Sequence, residues 1–100
     1  MIKHIVMWRL ADEAGGATKA ENARALQARL MALPGEIPEI QQFEVGLDIN
    51  GSERASDIVL VSSFATREDL AAYAGHPRHR EVVDFVRGFS TEVRVVDYEI

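Results

Sequence analysis

The sequence has no cysteine, which excludes disulfides, thiolate nucleophiles and thiolate-bound metals, and agrees with a reducing compartment. It has no basic run either. With 11 Lys and Arg against 16 Asp and Glu the net charge is −5, which disfavours binding to nucleic acid or an anionic membrane surface. Long apolar runs are also missing: Met1 to Leu10 is broken by Lys3, His4 and Arg9, is too short to span a bilayer and carries no small-residue cleavage site. The expectation is a cytoplasmic protein whose partners are a small molecule and other protein. Groups that titrate near neutral pH are scarce, with three histidines in all, so an acid–base site has few residues from which to be built.

What is present suffices for one domain over residues 1–100, since 47% hydrophobic content in 100 residues supports a single core. Ile2, His4, Val6, Trp8 and Leu10 alternate on one face of a first strand, and Ile5 and Met7 make its second face partly apolar. Thr18 and Glu21 form a capping box ahead of Ala23, Leu26, Leu30 and Leu33, predicting a helix from Lys19 that stops at Leu33-Pro34-Gly35. Period two returns at Ile40, with Phe43, Val45, Leu47 and Ile49 expected inward on a half-exposed edge strand. Asn50-Gly51-Ser52 signals a turn, and Gly15-Gly16, lacking phosphate-loop spacing, reads as flexible loop.

Ile58 to Val61, followed by Phe64, shows no polar alternation and predicts a central strand covered on both faces. Thr66 and Asp69 cap a second helix that ends at Gly75, and Pro77 opens a third to about Arg87. In that third helix His79 shares an inward stripe with Val82, Val83 and Val86, while Arg80 and Asp84 read as a solvated pair. A last strand runs from about Glu92 to Ile100. The order β-α-β-β-α-α-β predicts an α+β, ferredoxin-like fold, a four-stranded antiparallel sheet with helices on one face. The other face of that sheet is partly apolar, which predicts pairing with a second copy, a homodimer.

One segment concentrates the titratable groups. Tyr73-Ala74-Gly75-His76-Pro77-Arg78-His79 places a phenol and two imidazoles around a Gly/Pro break between helices. His76, before a proline, is expected in extended geometry as a local cap holding the corner. For His79 two readings stand: a general base beside a cavity, or a buried histidine bound to a backbone carbonyl. Tyr73 reads as a hydrogen-bond donor to a developing enolate oxygen or as a core aromatic. His4 either orients a substrate or fills the core. The histidines lack the pairing of a zinc site, and no cofactor is expected.

With Ile2-Lys3-His4-Ile5-Val6, Asp57 to Val61, Glu68 to His79 and Val95-Val96-Asp97-Tyr98 in order along nearly all of its length, the chain resembles the stress-responsive dimeric α/β-barrel (Dabb) family. The resemblance implies that two ferredoxin-like subunits pair into a barrel. The family includes plant stress proteins and a polyketide cyclase whose active site is lined by a first-strand histidine, a tyrosine ending the second helix and the later histidine of a His-Pro-x-His run. His4, Tyr73 and His79 stand at those positions here. Some members hold Mg²⁺ through backbone carbonyls near the end of the first helix, ligands that no side chain signals. The expected activity is binding of a small, largely apolar, oxygenated molecule between sheet and helices. If catalytic, it is cofactor-free proton transfer next to a carbonyl, cyclase- or lyase-like, with His79 as base, Tyr73 as carbonyl donor and His4 in support. The alternatives are a non-enzymatic stress-protective or ligand-carrying protein and a cofactor-independent oxygenase.

Overall fold

The computed structural model describes residues 1–100. Strand β1 (Ile2–Leu10) leads through a hairpin, β2 (Glu13–Ala14) and β3 (Ala17–Thr18), into helix α1 (Lys19–Met31) and a single 3-10 turn at Leu33–Gly35. Then come β4 (Ile40–Leu47), β5 (Ile58–Phe64), α2 (Arg67–Gly75), α3 (Pro77–Arg87) and β6 (Ser90–Glu99). The four long strands form one sheet in the order β4-β5-β1-β6, with neighbours antiparallel. This is the ferredoxin-like α+β arrangement, with β5 and β1 central and β4 at an edge.

Local chemistry sets the helix boundaries. The Thr18 side chain accepts from the Glu21 amide while Glu21 reaches back to the Thr18 amide, so the expected capping box starts α1. The Thr66 hydroxyl accepts from the Asp69 amide and starts α2 in the same way. His76 has ψ 137° and its Nδ1 accepts from the Arg78 amide, so it caps α3 as the residue before Pro77 is disposed to do.

Register decides which face each strand residue shares. Val6 lies opposite Leu60 and Val95, and Trp8 opposite Ile58 and Val93, so these six residues share the helix-facing side. There Ile2, Val6, Trp8, Leu60 and Phe64 join Leu26, Leu30, Tyr73, Val82 and Val86 in the core. The other side presents Ile5, Met7, Val59, Val61, Val96 and Tyr98, and no helix covers it. Met7, Val96 and Tyr98 remain 41%, 52% and 45% exposed there.

Three local expectations are corrected. Gly15 and Gly16, with φ of 61° and 79°, form the two-residue turn of the β2–β3 hairpin, because a tight turn of this hand needs positive φ at both central positions. β4 ends at Leu47, so Ile49 is fully exposed rather than inward, and Leu47 is itself 38% exposed. Asp84 pairs with Arg87 at 3.4 Å instead of with Arg80.

Candidate functional site

Helix α3 makes its main contacts with α1 and α2 rather than with a strand. It therefore stands off the β1–β6 half of the sheet. The gap is a cavity of about 350 Å³ at the small end of ligand-pocket size, walled mostly by apolar side chains such as Trp8, Leu60, Val82 and Val86. His4 enters from β1, Tyr73 from the end of α2 and His79 from the first turns of α3. The three residues singled out in the sequence thus line one space. Ring centroids lie 4.5 Å apart for Tyr73 and His79 and 5.9 Å for His4 and Tyr73. His76 is absent from this wall and acts as the helix cap.

Each imidazole is held by one nitrogen. The Nδ1 of His79 lies 3.0 Å from the Ala74 carbonyl, and since a carbonyl only accepts, Nδ1 carries the proton. The lone pair of a neutral His79 is then on Nε2. His79 thus binds a backbone carbonyl and also borders the cavity. Burial pushes its pKa below the ordinary value, partly opposed by the Ala74 hydrogen bond, with His4 and His76 nearby adding to the decrease. His79 is consequently an uncharged proton acceptor at neutral pH.

His4 has a partner that no local pattern announced. Its Nδ1 lies 2.5 Å from the Asp97 carboxylate, because β1 and β6 pair with His4 opposite Asp97. The His4 side chain is 13% exposed and Asp97 45%, so the pair sits at the edge of the buried region. The carboxylate fixes which nitrogen of His4 carries its proton and how the ring is turned. Ser62 donates to the His4 carbonyl at 2.9 Å and secures the strand behind it.

Tyr73 is 1% exposed and ringed by Phe43, Phe64, His4 and His79. Its hydroxyl is buried with no protein group in hydrogen-bonding reach. That is uncommon, because an unpaired buried hydroxyl costs about 1–3 kcal/mol. Burial pushes its pKa well up, so the group stays a neutral donor at neutral pH.

Two other features carry less chemistry. A larger, more open groove of about 560 Å³ beside Arg9, Lys19, Arg24 and Asp57 has no histidine or tyrosine in its walls, and Lys19 lies 3.6 Å from Asp57. We place the candidate site in the smaller cavity because two histidines, the groups that titrate near neutral pH, converge there with a tyrosine. No three His, Asp or Glu side chains gather with metal-binding geometry. Near the end of α1 the Leu33 carbonyl accepts from both the Glu36 and Ile37 amides, so its two lone pairs are already taken. No helix is long and apolar enough to cross a membrane.

Comparison with known proteins bears on this arrangement. The model of a domain described as "Stress responsive A/B Barrel Domain" matches residues 2–100. An uncharacterized protein of Streptomyces coelicolor, SCO4036, is 31% identical over 99% of this chain and 99% of its own length. A dimeric, ferredoxin-like protein of unknown function from Bacteroides fragilis is 32% identical, with a TM-score of 0.88 over 99% of this chain and 95% of that one. Hydroxynitrile lyase from Passiflora edulis shares the fold at 20% identity, with a TM-score of 0.80 over 99% of this chain and 92% of that one.

Proposed function

The chain belongs to the stress responsive A/B barrel domain family, and from that starting point we propose that it is a homodimer in which each subunit's cavity takes a small, largely apolar carbonyl compound and moves a proton next to the carbonyl without a cofactor. The observation that carries this reading is the Tyr73 hydroxyl, buried and unpartnered, in the same wall as His79. A hydroxyl kept unpaired at a cost in stability is a donor awaiting an acceptor, and a carbonyl oxygen is one. The dimer is supported by the apolar, helix-free face of the sheet and by the dimeric state of the Bacteroides fragilis relative. The lyase among the proteins of this fold shows that the fold can house an enzyme.

The chemistry follows from the assigned protons. His79 Nε2 takes a proton from the carbon next to the carbonyl, and the freed electron pair moves onto the carbonyl oxygen to give an enolate. Tyr73 donates to that oxygen as its charge develops. His4, turned by Asp97, lines the same space and supports the bound ligand. The enolate then attacks an electrophilic carbon of the same molecule, a cyclisation, or recovers a proton from His79. Because the Tyr73 hydroxyl has almost no accessible surface, a ligand meets it only after a neighbouring side chain shifts, while His79 keeps its Ala74 hydrogen bond.

The test uses a medium-chain methyl ketone in D₂O, with exchange of the protons beside the carbonyl followed by NMR. The protein should accelerate exchange above buffer, and His79→Ala should remove about 10²-fold or more of that acceleration, the typical share of a positioned base. Exchange at the buffer rate would contradict the enzymatic reading. A second reading, a ligand carrier, is favoured by the His79–Ala74 hydrogen bond, which gives His79 a structural duty. Ketone binding without exchange would select it.

A further inference from the structure

The remaining polar groups of the cavity lie at its far end. Of the residues lining it, Arg87 alone carries a fixed charge, and no carboxylate lines the wall. Arg87 stands in the last turn of α3, eight residues beyond His79 and so about 12 Å further along the helix at 1.5 Å per residue. Its side chain is 75% exposed and meets Asp84 only through one contact of 3.4 Å, leaving most of its guanidinium donors free. Opposite it on β6 are Ser90, Val93 and Val95, and the two valines are 43% and 57% exposed although they sit on the helix-facing side of the sheet. The cavity thus opens between the end of α3 and β6, with Arg87 at the opening.

We infer that Arg87 is a specificity-determining residue which selects ligands bearing a carboxylate, held at the mouth while the apolar body lies along α3 and the carbonyl end reaches Tyr73 and His79. The substrate class is then an oxo acid whose carbonyl and carboxylate are separated by an apolar body spanning roughly the 12 Å between His79 and Arg87. Three properties of the cavity agree with this. Its middle is apolar and would gain by burying a hydrocarbon or aromatic segment. Its one fixed charge is positive and borne by the side chain best shaped to grip a carboxylate with two hydrogen bonds. Its inner end offers a neutral phenol that can donate to a carbonyl oxygen and a neutral imidazole that can accept a proton beside it, rather than a second fixed charge. This inference rests on the cavity being the ligand site.

The test compares decanoate with its methyl ester, which share an apolar chain and differ in charge. Trp8 is the single tryptophan and lines the cavity, so its fluorescence reports occupancy by either probe. Decanoate should bind about fivefold more tightly than the ester, the size expected of an exposed ion pair, and the margin should shrink as salt is raised. Arg87→Gln should erase the margin without weakening the ester, and Arg87→Lys should retain part of it. Equal affinity for the two probes, or a margin unchanged in Arg87→Gln, overturns the role of Arg87 while leaving the cavity as a ligand site. A Trp8 signal that responds to neither probe overturns the cavity as a ligand site and this inference with it.

Discussion

Replacing Tyr73 with phenylalanine should make the protein more stable and less able to act on a carbonyl. In most proteins a buried tyrosine hydroxyl is hydrogen-bonded, and its removal costs stability. Here the hydroxyl is buried with no protein partner, so the native state already bears the desolvation of that group, about 1–3 kcal/mol. Tyr73→Phe keeps the ring and its contacts with Phe43, Phe64 and His79 and deletes only the oxygen. The small void left by the oxygen forfeits some dispersion contacts, so we expect a net gain of about 1 kcal/mol. In a domain of this size that raises the melting midpoint by about 4–8 °C. The assay is a thermal melt at fixed protein concentration, because a dimer's midpoint depends on concentration. A fall of several degrees would refute the reasoning, since it would mean that the hydroxyl holds a hydrogen bond in the native state.

Further outcomes follow from the same contacts. His79→Ala should lower the midpoint, because it strands the Ala74 carbonyl and removes the ring beside Tyr73, together about 1–3 kcal/mol. Gln in place of His79 should recover part of that loss but none of the proton exchange, which a melt paired with the ketone assay resolves. NMR titration should place the His79 pKa below its ordinary value of about 6.5. Because the folded-state pKa is the lower one, the unfolded chain binds more protons in the interval between the two. Stability is therefore full above about pH 6.5 and declines as pH falls towards the folded value, and His79→Gln should flatten that part of the pH profile. Sedimentation at micromolar concentration should give about twice the 11.1 kDa chain mass, and Val96→Glu, on the helix-free face of the sheet, should shift the protein towards monomer.

Much of this architecture is written locally. β1 is legible because its side chains alternate, α1 because Thr18 and Glu21 cap each other, and the α2–α3 corner because His76 and Pro77 each favour the backbone found there, whereas Gly75 ends α2 with a negative φ and uses none of glycine's freedom. The inward turn of His79 could be read from its spacing to Val82 and Val86. Other features depend on pairings that distant residues make. The partner of His4 is 93 residues away, and only the β1–β6 register brings Asp97 to it. The unsatisfied state of the Tyr73 hydroxyl arises when α2 closes over β1 and β5, since the sequence shows a phenol but not what surrounds it. Arg87 looks like an ordinary last-turn cation until α3 is seen to stand clear of β6. Ile49 misled because an apolar alternation continues past the point where the β4–β5 ladder ends at Leu47.

The central claim is that a ligand carbonyl completes the unpaired Tyr73 hydroxyl inside the cavity. The most direct measurement is the infrared carbonyl stretch of an isotopically labelled medium-chain methyl ketone bound to the protein. Donation from Tyr73 should move the stretch to lower frequency than in water-free solvent, and Tyr73→Phe should return it while the ketone remains bound. A bound ketone whose stretch is the same in the wild type and in Tyr73→Phe would contradict the account.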